Sequence, residues 1–274
     1  MNVSEHYRPV TGLMRFALLL GVFASGITFV QLFGFPGNTS EFFAWTIASG
    51  MTATMIGAFY GLSALFAFLS WRQRWWANAS AGIPGITLFL WVTTATMFLH
   101  WDRFHLAASG TAFTAAIAWV LIYLLDPPLV TAAWISQLRQ TGNDPARAQP
   151  LHSAYRALLV LAALLWLGAG LVMFFAPKLA VELAPWPLTP LTSRTLGAWY
   201  LALGGMFATF VWENDYVRNR QGAISLLVLA VLLAICAYRF SAEFKGGLAL
   251  SVHLFSIALI AIIGVLGLNR QRVP

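Results

Sequence analysis

Long apolar stretches separated by short polar ones set the pattern of this chain, and neither a two-residue nor a heptad alternation dominates it. Runs of about 20 predominantly apolar residues, the length needed to cross a bilayer core, fall near residues 16–35, 50–70, 80–99, 108–126, 155–176, 194–212, 222–239 and 247–268. None of these windows has an Asp, Glu, Lys or Arg near its middle. The pattern predicts an all-α integral membrane protein with eight transmembrane helices. Arg8 and Arg15 before the first run give the start the look of a secretion signal. The run is longer than the 7–15 apolar residues of such a signal, so it is expected to be retained as the first span.

The second half of the chain repeats the layout of the first. A shift of 140 positions sets Gly57-Ala58-Phe59-Tyr60 on Gly197-Ala198-Trp199-Tyr200 and Ile117-Ala118 on Ile257-Ala258, and it superimposes the span boundaries. This predicts a duplicated 4+4 bundle: residues 1–126, a cytoplasmic linker over 127–154 with a short interfacial helix near 129–139, and residues 155–274. Halves with an even number of spans share one orientation, so the expected relation is a parallel repeat about a pseudo-twofold axis along the membrane normal. Gly57, Gly61, Gly197, Gly204 and Gly205 are expected at close helix contacts, because small residues let backbones approach where lipid supplies no hydrophobic drive.

Composition agrees with lipid as the solvent. Of 274 residues, 59% are apolar and 9% charged, against about 25% charged in soluble domains, and the mean hydropathy is +0.75. The formal charge of +7 does not point to nucleic acid, since the basic residues flank the apolar runs and no basic run is longer than a pair. Eleven of the 16 basic residues lie in the N-terminus, the even-numbered loops and the tail, against five in the odd-numbered loops. The positive-inside rule then places both termini in the cytoplasm, and a bacterial inner membrane is the expected location. Trp71, Trp75 and Trp76 are expected in the inner aromatic belt, and Trp45, Trp101 and Trp186 in the outer one. The segment around Glu213, Asp215, Arg218 and Arg220 reads as a solvated cytoplasmic turn.

Chemistry-bearing residues are few. Cys236 is the only cysteine, so the chain can form no internal disulfide and has no cysteine-based metal site. Phosphate-binding Gly-rich loops and the GxSxG, HExxH and CxxC motifs are absent from the sequence. His253 is the ionisable residue well inside an expected span, and such a residue is a functional candidate by default. It could serve as axial ligand to a pigment or haem, or as hydrogen-bond donor to a quinone, or be a satisfied structural imidazole near Ser251 and Ser256. A single His suits a one-ligand pigment better than a bis-histidine haem. His100, Asp102 and His105 in the third loop are weak candidates for a divalent metal, since an i, i+5 pair does not share a helical face. Asp102 and Arg103, with Arg239, Glu243 and Lys245 at the corresponding place in the second half, are expected as outer-face charge clusters that contact a ligand or partner.

Three functional readings follow. The first is a non-catalytic subunit or accessory protein of a larger membrane complex, carrying pigment or redox groups and lying beside other membrane subunits. The second is a transporter or channel for a small neutral or lipid-like solute, its pathway on the pseudo-axis and lined by Ser, Thr and Tyr60 or Tyr200. The third is a membrane enzyme acting on lipid or quinone.

Overall fold

A computed structural model describes residues 7–268. The described chain is all-helical: ten α-helices joined by short 3₁₀ turns, with no strands. Isolated bridges, Tyr7 to Asn143 and Pro9 to Trp75, tie down the segment before the first helix.

Seven helices are long and apolar enough to cross a membrane. α1 (Gly12–Phe29) is capped by the Thr11 hydroxyl, which accepts from the Met14 N–H, and runs on through a π-helical turn, Val30–Gly34. After the one-turn α2 (Thr39–Phe42) come α3 (Gly50–Trp71), α4 (Ile83–Leu99) and α5 (Gly110–Leu138). The second half gives α6 (Ser153–Phe175), a short α7 (Pro177–Leu183), α8 (Pro190–Glu213), α9 (Tyr216–Arg239) and α10 (Gly247–Leu268). The helix at the third expected span is the short one. α4 has 17 residues, about 25 Å at 1.5 Å per residue, because Pro84 in its first turn and the coil before it consume the start of the apolar run. The architecture is thus a multi-pass, all-α membrane protein.

α3 and α8 are the central helices. About 70% of the apolar window of each lies inside the molecule, against 28% for α1, α5 and α6, whose outer faces carry Phe16, Phe23, Leu125, Leu164 and Phe175 to the surface. α3 packs between α1 and α9, and α8 between α6 and α4, while α4 lies against α5 and α9 against α10. Glycines set the closest approaches. A Cβ on Gly57 would come within 2.7 Å of the Phe33 backbone nitrogen, and one on Gly61 within 2.9 Å of the Phe29 ring. Gly197 meets the Gly170 carbonyl, Gly204 the Leu167 backbone, and Gly205 the Cα of Gly85.

Several expectations need correction. No separate interfacial helix covers 129–139: those residues are the last turns of α5, which continues through Pro127 and Pro128. The Asp215 group is not a solvated turn. Asp215, Arg218 and Asn219 are buried, because residues 145–149 fold over them. The Asp215 carboxylate caps α9 by accepting from the Val217 and Arg218 N–H groups and also accepts from the Gln149 N–H, while Arg218 pairs with Glu213 at 2.6 Å. Trp45, Trp76 and Trp186 are buried and belong to the packed interior; Trp101 remains exposed.

Candidate functional site

The longer α5 changes where chemistry can sit. Its C-terminal end meets the start of α1: Gln137 accepts from the Thr11 N–H at 2.8 Å and donates to the Pro9 carbonyl at 2.9 Å. Asp126 lies 11 residues before Gln137, about 16 Å up the helix axis. That height is level with the middle of α1, so a carboxylate expected at the end of a span lies partway along the bundle instead.

The helix survives the Asp126-Pro127-Pro128 sequence because a neighbour supplies what the prolines remove. Pro127 has no N–H for the carbonyl four residues earlier, that of Tyr123. The Thr94 hydroxyl from α4 lies 2.8 Å from that carbonyl oxygen and 2.8 Å from the Leu90 carbonyl of its own helix, so its one proton is shared between the two. One turn on, the Thr131 hydroxyl donates to the Pro127 carbonyl at 2.7 Å and accepts from the Trp91 indole N–H at 3.0 Å. The Thr94 hydroxyl thus re-satisfies a carbonyl that lipid could not, while the Thr131 bond adds to a carbonyl that keeps its helical partner.

Asp126, itself half-buried, lines a partly open cavity of about 70 Å³ between α1, α3, α4 and α5. At about 10–15 Å³ for each water-sized group, this is room for a short chain of atoms. Its polar edge consists of Ser25, Thr28, Tyr60, Ser63, Tyr123 and Asp126. The hydroxyls of Tyr60 and Tyr123 are 2.6 Å apart, and the Ser25 hydroxyl donates to that of Ser63 at 3.2 Å. The rest of the wall is apolar and aromatic, including Phe66, Phe89 and Trp119, and holds no Lys, Arg or His. Among the described residues no basic side chain forms an ion pair with Asp126.

The centre of the molecule, where a pathway on the pseudo-axis was expected, is filled. Trp199 of α8 stacks on Phe89 at 3.7 Å between ring centroids and on Phe59 at 5.6 Å with the planes 10° apart, and Tyr60 meets it edge-on at 5.0 Å.

His253 is buried on α10 between aromatic rings, with Trp186 at 4.8 Å and Phe244 at 5.9 Å. Its Nε2 has no hydrogen-bond partner among the described residues; Ser256 donates to the His253 backbone carbonyl, and Ser251 to that of Gly247. Both rings are tilted against the imidazole, and His253 is not among the residues that line the cavity.

The third loop divides its groups among different neighbours. His105 is tied at Nδ1 to the Phe43 carbonyl and at Nε2 to the Thr46 hydroxyl, both at 3.0 Å. His100 Nε2 lies 2.7 Å from an Arg194 guanidinium nitrogen, so it accepts as a neutral ring. Its burial, and then the nearby Arg194 charge, hold its pKa below the ordinary imidazole value. Asp102 pairs with Arg103 at 3.1 Å, both exposed. Among the described residues no group of three His, Cys, Asp or Glu stands close enough to hold a metal ion. The charges at the end of α9 also turn to separate tasks. Glu243 accepts from the Ser49 hydroxyl at 2.5 Å and the Met51 N–H at 3.2 Å, capping α3. Arg239 donates to the Phe33 carbonyl at 2.8 Å and lies over the Phe33 and Phe240 rings, while the Lys245 backbone N–H bonds the Pro185 carbonyl at 2.7 Å.

Sequence reading missed Asp126 as a site residue because Asp-Pro-Pro normally closes a helix. The available signal was the run Leu129–Leu138, which is apolar enough to continue one. No protein-family model, curated protein or solved structure matches the chain.

Proposed function

We propose that this chain is a carrier or binding protein of the membrane for a small, lipid-like solute, which it takes into the cavity between α1, α3, α4 and α5. The carrying observation is a cavity with long apolar walls and one polar edge, formed by Tyr60, Tyr123, Ser25, Ser63 and Asp126 partway along the bundle. Sites for small molecules combine these features, with apolar area for affinity and a few polar groups for orientation. The accessory-subunit expectation rested on smooth apolar spans, abundant aromatic residues, the absence of catalytic motifs and one buried histidine, His253, as a ligand for a pigment or redox group. Because Trp186 and Phe244 crowd that ring, the cavity carries the reading in its place, and the pathway moves from the pseudo-axis into the first half.

The same reading takes α4 as an eighth span, places both termini in the cytoplasm of a bacterial cell, and treats the two halves as a duplicated 4+4 bundle. The packing supports the duplication. α1 on α3 matches α6 on α8, and α4 on α8 matches α9 on α3. Gly57 and Gly197, 140 positions apart, each sit at one of the first pair of contacts. The His105 N–H bonds the Ala44 carbonyl as the Lys245 N–H bonds that of Pro185, and Ser49 and Thr189 cap α3 and α8 alike. Phe59 stacks on its own counterpart Trp199, as residues beside a twofold axis do.

Organic extraction of protein purified from its native membrane, followed by mass spectrometry, tests the proposal. Gly21 lines the cavity, and a Cβ there makes only ordinary contact with Ala67, so Gly21→Leu fills the space without a backbone clash. One amphiphile recovered near one per chain from the wild type and lost from Gly21→Leu supports the reading. Equal recovery from both contradicts it.

A further inference from the structure

Charge complementarity narrows the solute class. A carboxylate partway along the bundle is costly without a counter-charge, and Asp126 has none among the described residues. The titratable groups that share the cavity are Tyr60 from α3 and Tyr123 from α5 itself; α1 contributes Ser25 and Thr28, and α4 only apolar side chains. The Tyr60 and Tyr123 hydroxyls are bonded to each other, so they do not neutralise Asp126. Trp119, Phe89, Tyr60 and Tyr123 add aromatic rings, whose faces attract cations.

We propose that the cavity selects an amphiphile with a positively charged head, an alkylammonium, which pairs with Asp126 beside these aromatic rings while its chain lies along Met14, Ala17, Leu18 and Ile83. The inference rests on the cavity being the solute site and adds the sign of the head group. It also explains why Asp126 stands in the interior of a helix that two prolines make expensive to build. A neutral lipid-like solute would gain from the apolar wall without needing the carboxylate.

The probes are n-hexylammonium and hexan-1-ol, which have the same number of heavy atoms and differ in charge. Each is titrated calorimetrically at pH 7 into wild type, Asp126→Asn, Asp126→Glu and Gly21→Leu in nanodiscs of one lipid composition. The expected result is hexylammonium binding to wild type about tenfold or more tighter than hexan-1-ol. That preference is lost in Asp126→Asn and retained in Asp126→Glu, while hexan-1-ol binds wild type and Asp126→Asn alike, which shows the cavity intact. Equal affinity of the two probes for wild type overturns the inference without recourse to any variant, as does undiminished hexylammonium binding by Asp126→Asn. If hexan-1-ol binds wild type more tightly than Gly21→Leu but no charge preference appears, the charged head is wrong and the cavity reading stands. If neither probe distinguishes wild type from Gly21→Leu, the cavity reading fails with it.

Discussion

At the scale of single residues, the account turns on how one carboxylate is kept in place. Asp126 is held level with the middle of α1 because α5 does not stop at Pro127, and the Thr94 hydroxyl, shared with the Leu90 carbonyl, reaches the freed Tyr123 carbonyl at 2.8 Å. Thr94 therefore has a task that the other α4 threonines lack. Thr96 bonds only the Val92 carbonyl of its own helix, a carbonyl that already has its helical partner. Thr94→Val leaves a buried carbonyl unsatisfied and is expected to cost about 1–3 kcal/mol, whereas Thr96→Val costs under about 1 kcal/mol. Unfolding midpoints of both variants in the same bilayer mimetic check this, and equal losses would remove Thr94 from the argument. None of this was readable beforehand: a hydroxyl from another helix has no trace in the local pattern around Asp-Pro-Pro. His253 shows the converse. Its sequence setting marked a candidate, and only packing revealed the Trp186 and Phe244 rings beside it.

At the scale of elements, apolar run length was a dependable guide wherever a helix ended in coil. Residues 50–70, 155–176 and 247–268 were expected, and Gly50–Trp71, Ser153–Phe175 and Gly247–Leu268 are observed. It failed where polar residues are buried by another segment. α9 begins at Tyr216, six residues ahead of the expected 222, because its polar first turns lie beneath residues 145–149 and so carry no apolar signal. α4 is the element on which the count of eight depends, since its 17 residues fall at the short limit for a bilayer crossing. Cysteines introduced at Arg72 and Ala108, the two exposed flanks of α4, test it against a quiet background, because Cys236 is buried. A membrane-impermeant maleimide should label Ala108→Cys in intact cells and Arg72→Cys only after the inner face is opened. Labelling of both from one side would contradict an eighth span.

At the scale of the whole molecule, the two halves of the chain differ in what they enclose. In the second half α6 and α8 close on each other through Gly170, Gly197 and Gly204, and Tyr155 reaches across to the Ile263 carbonyl at 3.0 Å beside Gly267. In the first half α1 meets α3 closely at Gly57 and Gly61 and then opens towards its N-terminal part, leaving the space beside Ser25, Ser63 and Asp126. The proposed duplication rests on the register of the spans, but this asymmetry depends on side-chain volume summed over four helices and on no single motif. The central claim is that the open half is occupied by a solute. An electron cryo-microscopy map of protein extracted from its native membrane tests it most directly. The account predicts elongated non-protein density between α1 and α5, its head against Asp126 and Tyr123. A map in which Phe66, Phe89 or Trp119 has swung in to close that space, or in which bound density lies against His253 instead, would contradict it.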